Sequence, residues 1–406
     1  MLGQAVILVG RRNDRLRPIT DQPPKPPAPV AGGPVLEYLV WNLRRHGIRR
    51  LVFCVGYLAQ PVMAHFGDGS QFGVRIEYMA EGEDVGTAGA LALASDRLDD
   101  VFLVLNGHSL FDINYLDLGV ALRRSPGLAA VAFRTCPEPG RYERAYLRGR
   151  WVVSFGEKWE RGRAVINGGV YAIRREALAY IGKSPASLEH DVFPVLAEKR
   201  SLLGRVYSRP FVDIGTPEGL AKAAQAAVRW MKKPAAFLDR DGVLNANAGY
   251  IHRREDFVWV RDAQRAVKWL NDRGYLVFVV TNQGGIARGY YTEEDFAGLM
   301  NWVGGELAKC GAHLDAVYYC PHHPTEGRGE YLRVCECRKP GSGLFNRALS
   351  EWKVDVRRSF FIDDTPANLD AGARLGIRSY LFRGGSLLSC VRLLANVKQR
   401  PTTGKY

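Results

Sequence analysis

Along the first half of the chain, short apolar runs alternate with amphipathic stretches. AVILVG (5–10), RLVFCVG (50–56), VRIEYMAE (74–81), VFLVLNG (101–107) and LAAVAFRT (128–135) have the length of strands, while LEYLVWNLRRHG (36–47) is amphipathic. Strand and helix patterns in alternation predict an α/β layer with a largely parallel sheet. WVVSFGEKW (151–159) and INGGVYAIRREAL (166–178) continue it, and a helical stretch from Pro217 to Trp230 closes it. After a polar break at Lys232, Lys233 and Pro234, a second series starts with AAFLDRDG (235–242). A helix near 262–273, YLVFVVTN (275–282), a helix near 292–310, AVYYC (316–320), a helix near 343–352, SFFIDD (359–364) and YLF (380–382) follow. The pattern predicts two α/β domains, 1–232 and 233–395, with a flexible tail over 396–406.

Length agrees with this division, since 406 residues exceed the ~250–300 at which single cores stop growing. Hydrophobic residues at 47% against 24% charged supply enough apolar surface to offset the entropy of ordering, so disorder is expected only at the ends. The apolar opening Ala5–Val9 gives way at once to Gly10 and Arg11, too short for a bilayer and unlike a secretory signal. A cytoplasmic chain without a membrane segment is the expectation. Three of the seven cysteines crowd between Cys320 and Cys337 beside His322, which suits a metal in a reducing compartment better than a disulfide scaffold. The net charge of +14 suits either nucleic acid or anionic small molecules. The arginines are scattered, with no long basic run and no zinc-finger or RNA-binding signature, so small phosphorylated substrates and no nucleic acid are expected. A nucleic-acid end-processing phosphatase remains the alternative, and oligomeric state stays open.

The second domain carries the chemistry. In FLDRDGVLN an apolar strand ends in Asp239 with Asp241 two residues on, and in extended chain the two carboxylates face one way. One can attack phosphorus while the other shuttles a proton. Thr281 and Asn282 end the next strand with a hydroxyl and an amide suited to phosphate oxygens, and Lys339 in CRKP supplies a cation for the transferring group. FIDD places Asp363 and Asp364 where a hard ion such as Mg²⁺ would sit. Cys320, His322, Cys335 and Cys337 form Cys-x-His and Cys-x-Cys, four ligands from two hairpin-like ends, as a closed tetrahedral Zn²⁺ site requires. His323 is the alternative to His322.

In this order the four segments resemble the haloacid dehalogenase superfamily over the whole second domain. The resemblance implies a doubly wound parallel sheet with a zinc loop, and a magnesium-dependent phosphatase working through an aspartyl-phosphate. It implies Asp239 as nucleophile and magnesium ligand, Asp241 as general acid/base and backbone-carbonyl magnesium ligand, Thr281 and Lys339 as phosphate binders, and Asp364 as magnesium ligand. CPHHP looks like the family motif in which the first histidine, here His322, binds zinc. FLDRDGVLN, GYIHRREDF, TNQGGIARGYYTEEDF, CPHHP and CECRKP together resemble the zinc-clasped heptose bisphosphate phosphatases. That implies removal of a 7-phosphate on the route to nucleotide-activated heptose, with Arg338 gripping the sugar phosphate. Tyr250, His252 and the loop from Gln283 to Arg288 would shape the pocket. Gly284 departs from a common serine, and Asn368 from a common acidic residue. Histidinol-phosphate phosphatases, with a shorter clasp loop, are the second choice.

In the first domain, GTAGAL, NGHSLFD, INGGVYAIRREAL, SLEHDVFP and FVDIGTPEG resemble the sugar-1-phosphate nucleotidyltransferases, whose fold is a Rossmann-like mixed sheet. Arg15, Lys25, Gly86, Thr87, Asn106, Gly107, Asn167, Gly168, Glu189 and Asp213 match that family's sugar-nucleotide pocket. The phosphate loop does not. VGRRNDRL (9–16) sets Arg11, Arg12 and Asn13 where small residues let backbone N–H groups approach a triphosphate, and Asp14 replaces a threonine. His108 stands at a metal-binding aspartate, leaving Asp213 as the remaining carboxylate. A non-catalytic domain that binds sugar phosphate or acts as a scaffold is the expectation, with an active guanylyltransferase half as the alternative.

Overall fold

The computed structural model describes residues 2–9, 29–30, 33–56, 59–82, 85–136, 143–156, 164–213, 222 and 229–396. The phosphate loop with Arg11 to Arg15, Lys25, most of the helical stretch 217–230 and residues 397–406 lie outside them. The chain forms two compact units, Met1–Met231 and Lys232–Tyr406.

In the first unit nine strands share one sheet. Across it run Arg75–Ala80, Arg50–Val55, Gln4–Leu8, Val101–Asn106, Ala164–Arg174, Ala129–Cys136, Leu202–Tyr207, Trp151–Gly156 and Arg144–Arg148. Ala5 and Ile7 enter one buried core while Val6 and Leu8 enter the other, which is why this strand reads as an unbroken apolar run. The first four strands are parallel, but Ala164–Arg174 runs antiparallel to both neighbours and makes the sheet mixed. Its register shifts between Asn167 and Tyr171, where Gly168 and Gly169 interrupt the ladder.

The second unit holds a five-stranded sheet, parallel throughout, in the spatial order Ala316–Cys320, Leu276–Asn282, Ala235–Leu238, Phe360–Asp363 and Arg378–Leu381. Both faces are buried: Ala236 and Leu238 point into one core, Ala235 and Phe237 into the other. The chain starts in the middle strand, winds to one edge, then returns to lay its fourth strand beside the first. That reversal leaves a crevice at the carboxyl ends of those two strands, where parallel α/β sheets bind ligands. Asp239 follows the first of them and Asp363 ends the other.

The helix Glu293–Lys309 starts on a reciprocal cap, the Thr292 side chain accepting from the Asp295 N–H and the Asp295 carboxylate from the Thr292 N–H. A helix absent from the sequence reading, Leu387–Asn396, buries Leu387, Leu388, Val391 and Leu394 in the second unit's core. No helix among the described residues is long and apolar enough to cross a membrane.

Candidate active site and metal clasp

Asp239, Lys339 and Asp363 are buried together at the crevice. Lys339 Nζ lies 3.1 Å from Asp239 Oδ2 and 2.5 Å from Asp363 Oδ2, and donates to the Val280 carbonyl at 2.8 Å. Asp239 Oδ1 accepts from the Arg240 N–H at 2.7 Å. Asp363 Oδ1 accepts from the Thr365 N–H and from Asn368 Nδ2, so the residue replacing a common acidic one holds a carboxylate here.

Oxygens of Asp239, Asp363 and Asp364 gather within 4.8 Å of one another. One ammonium does not balance them. Burial drives the Asp239 carboxyl up to about 7; Lys339 opposes the shift, and the charges of Asp363 and Asp241 add to it. Two buried aspartates and the half-buried Asp364, a net-negative set of hard oxygens, fit a divalent cation, which would reverse that shift. The structure thus brings Asp363 and Asp364 of FIDD together with Asp239. The carboxylate of Asp241 does not join them, leaving its backbone carbonyl as the group it could offer a cation. Gly242, at φ +81°, is required at this spot: a Cβ would lie 2.0 Å from Asp364 Oδ2.

The Asp241 carboxylate is instead gripped by the Arg240 guanidinium, by Asn245 Nδ2 at 3.0 Å and by Gln283 Nε2 at 3.1 Å. The same Gln283 amide donates to Thr281 Oγ1 at 2.9 Å, and Gln283 Oε1 accepts from the Tyr291 hydroxyl at 2.7 Å. Gln283 thus links Thr281 to Asp241. Asn282 takes a different role from the predicted phosphate ligand. Its side chain accepts from the Lys339 N–H and donates to the Lys339 carbonyl, both at 3.0 Å, so its amide is spent on holding Lys339.

Around this centre, Tyr250 is exposed at φ +51° and packs edge-on against Tyr290, while His252 stacks on Tyr291 at 5.0 Å. Arg338 donates to the His322 carbonyl at 2.9 Å, and Gly284 lies beside it. A Cβ on Gly284 would meet Arg338 at 3.4 Å, ordinary contact distance, so the common serine would fit.

The clasp gathers as a four-cornered cluster. Cys320, Cys335 and Cys337 bring their sulfurs to 3.1–3.5 Å of one another, and His322 Nδ1 lies 3.3 Å from Cys337 Sγ and 3.6 Å from Cys320 Sγ. His323 faces elsewhere, its Nδ1 accepting from the Thr325 and Glu326 N–H groups. Burial and the Arg333 charge push the His322 imidazole down, so it is neutral, as a metal ligand must be. Three thiols and one imidazole, soft and borderline donors, fit zinc.

In the first unit a tyrosine not singled out from sequence links several of the residues matched to the sugar-nucleotide pocket. The Tyr171 hydroxyl accepts from Asn167 Nδ2 at 3.0 Å and Asn106 Nδ2 at 3.4 Å and donates to Glu189 Oε1 at 2.9 Å. Thr87 and Ser187 donate to the other Glu189 oxygen. Gly86, at φ +75°, lets the Ala186 carbonyl approach, for a Cβ would sit 2.3 Å from it; a Cβ on Gly168 would lie 2.4 Å from the Phe111 ring and one on Gly107 2.8 Å from the Leu8 carbonyl. Asp213 pairs in register with Ser109, next to His108. Among the described residues of this unit, no three acidic, histidine or cysteine side chains gather as a metal site.

The sequence profile of the nucleotidyl transferase family matches residues 4–229. Over the C-terminal part, D-glycero-beta-D-manno-heptose-1,7-bisphosphate 7-phosphatase of Haemophilus ducreyi is 43% identical across 161 residues, 39% of this chain and 88% of that protein. The chain belongs to the nucleotidyl transferase family in its first part and to the heptose bisphosphate 7-phosphatase family in its second. A phosphatase-family relative from Rhodopseudomonas palustris is 42% identical, covering 38% of this chain and 85% of that protein. The alpha-named enzyme of Photorhabdus laumondii is 37% identical, again covering 38% and 85%. HddC from Yersinia pseudotuberculosis has a similar fold, with a TM-score of 0.50 and 24% identity over 56% of this chain and all of that one.

Proposed function

We propose that the phosphatase-family part, residues 233–395, hydrolyses the 7-phosphate of D-glycero-D-manno-heptose 1,7-bisphosphate. The observation that carries the reading is the buried ammonium of Lys339 between Asp239 and Asp363 at the crevice of the parallel sheet. An ammonium there meets the charge of an incoming phosphoryl group, and an aspartate beside it is aimed for in-line attack. Relatives named for the β and the α anomer support the substrate that both share.

In the proposed mechanism an Asp239 oxygen bonds to phosphorus as the bond to the sugar oxygen breaks. Asp241 gives that oxygen a proton. A water then attacks phosphorus, Asp241 takes its proton, the bond to Asp239 breaks and inorganic phosphate leaves. Thr281 and Lys339 hold the phosphoryl oxygens, and Arg338 with the Tyr250 and His252 loop holds the sugar. Asp239, Asp363, Asp364 and the Asp241 carbonyl would hold Mg²⁺, which when bound neutralises phosphoryl charge. Cys320, His322, Cys335 and Cys337 would hold a structural Zn²⁺. Phosphate release measured over both heptose bisphosphate anomers and histidinol phosphate tests the reading; turnover of histidinol phosphate alone would overturn it.

Three further results are expected. Gly242→Ala presses its methyl on Asp364, so activity should demand at least ~10-fold more Mg²⁺, read from a magnesium titration of phosphate release. Asn282→Ala frees the Lys339 backbone, and kcat should fall about 10-fold with KM little changed, because losing such a bracket costs about 1–2 kcal/mol. Since Asp239 keeps its proton up to about 7, binding of the cation should expel it. Magnesium affinity should therefore rise as pH climbs toward 7, with proton release seen by calorimetry in buffers of different ionisation enthalpy.

For the transferase-family part we propose sugar-phosphate binding without nucleotidyl transfer. The ordered Glu189, Tyr171, Asn106 and Asn167 network offers hydroxyl-binding groups, while His108 replaces a carboxylate. Titration with heptose 1-phosphate and with GTP tests it, and GTP turnover would refute it.

A further inference from the structure

We propose that Arg240 is a positioning residue that fixes the plane of the Asp241 carboxylate for proton transfer to the leaving oxygen. The inference rests on the reading of Asp241 as the acid/base group. Arg240 is wedged between the two aspartates, and alternation along an extended chain should point it away from both. Its long side chain returns instead. Nε lies 3.1 Å and Nη2 2.8 Å from each oxygen of Asp241, so the guanidinium grips the carboxylate by two nitrogens at once.

Arg240 has no exposed surface. Nη2 also donates to the Ile251 carbonyl at 2.7 Å, and the guanidinium carbon lies 5.4 Å from the Phe296 ring centre. Nη1 finds no hydrogen-bond partner among the described residues. Burying a guanidinium with a donor unspent is unfavourable, and a methionine-like side chain would fill this space without that cost. What the arginine adds is the rigid fork. Asn245 and Gln283 bring one donor each to Asp241, and single donors let a carboxylate swivel; two nitrogens set crosswise, each equidistant from both oxygens, resist that rotation.

The test compares leaving groups in the full chain with Mg²⁺ present. A sugar alkoxide needs a proton as it departs, whereas 4-nitrophenolate leaves without one. kcat/KM counts only steps through cleavage of the phosphorus–oxygen bond, so it isolates the acid step from the later attack of water. Arg240→Met and Arg240→Lys should each lose ~10²-fold in kcat/KM on the heptose bisphosphate and no more than about 5-fold on 4-nitrophenyl phosphate. Lysine keeps the charge without the fork, and carries the test if methionine does not fold, as judged by thermal melting. Adding Arg240→Met to Asp241→Asn should cost nothing further on the sugar substrate, since the arginine acts through the aspartate. Equal losses on both substrates, or additive losses in the double variant, would make Arg240 a structural support and overturn the proposal. Should Asp241→Asn itself lose equally on both, the acid/base reading falls and takes the inference with it. If Asp241→Asn is selective and the Arg240 variants are not, the inference alone falls.

Discussion

Asp239→Asn is expected to cut phosphate release by at least ~10³-fold, because removing a covalent nucleophile removes the reaction path itself. The exchange preserves shape, so the loss should not come from unfolding. In the metal-free protein it should even stabilise. Burial raises the folded carboxyl to about 7, against ~3.9 in an unfolded chain. For a raised acid the folded state holds the extra proton between those values, so this group's contribution to stability is present at low pH and lost as pH rises through about 7. At pH 8 without magnesium the variant should therefore melt higher than the parent, and added Mg²⁺ should close or invert the gap by stabilising only the parent's full carboxylate set. Melting curves with and without the ion, beside a phosphate-release assay, read both halves. Activity within about tenfold of the parent would remove Asp239 as nucleophile.

That site was legible in sequence where a group's role depends on its own strand. Asp239, Thr281 and Asp363 each close an apolar run buried on both faces, and strand ends of a parallel sheet converge. The clasp cluster was legible because its four side chains come from two short motifs. Partners distant in the chain were not. Asn282 looked like a phosphate ligand because nothing local shows that Lys339, 57 residues on, will take both ends of its amide. Arg240 was not singled out, since alternation turns it away and only the length of its side chain brings it back. Strand direction was hidden for a related reason: Ala164–Arg174 has the same apolar pattern whether it runs with or against its neighbours. Tyr171 was missed because a tyrosine in a strand is ordinarily core, and its hydroxyl becomes a hub only where the register slips beside Gly168 and Gly169.

Opening the clasp should be nearly as damaging as touching the nucleophile, by a different route. Cys337 lies two residues before Lys339, whose ammonium must reach Asp239 and Asp363 together. On its other side Lys339 is bracketed by Asn282, so the segment is held from the strand and from the clasp. Zinc binding would supply on the order of 10 kcal/mol to ordering the clasp, and catalytic groups must stay within ~0.5 Å of their working places. Cys337→Ser is therefore expected to lose its zinc, measured by metal analysis, and to lower kcat by ~10- to 100-fold, as mutations around metal sites do. Extra Mg²⁺ should not restore it, because the fault lies in the loop and not in the carboxylates. Asp239→Asn, by contrast, should keep its zinc while losing turnover. A zinc-free Cys337→Ser protein with full kcat would mean that the Asn282 bracket suffices to place Lys339, and that the clasp serves something other than catalysis.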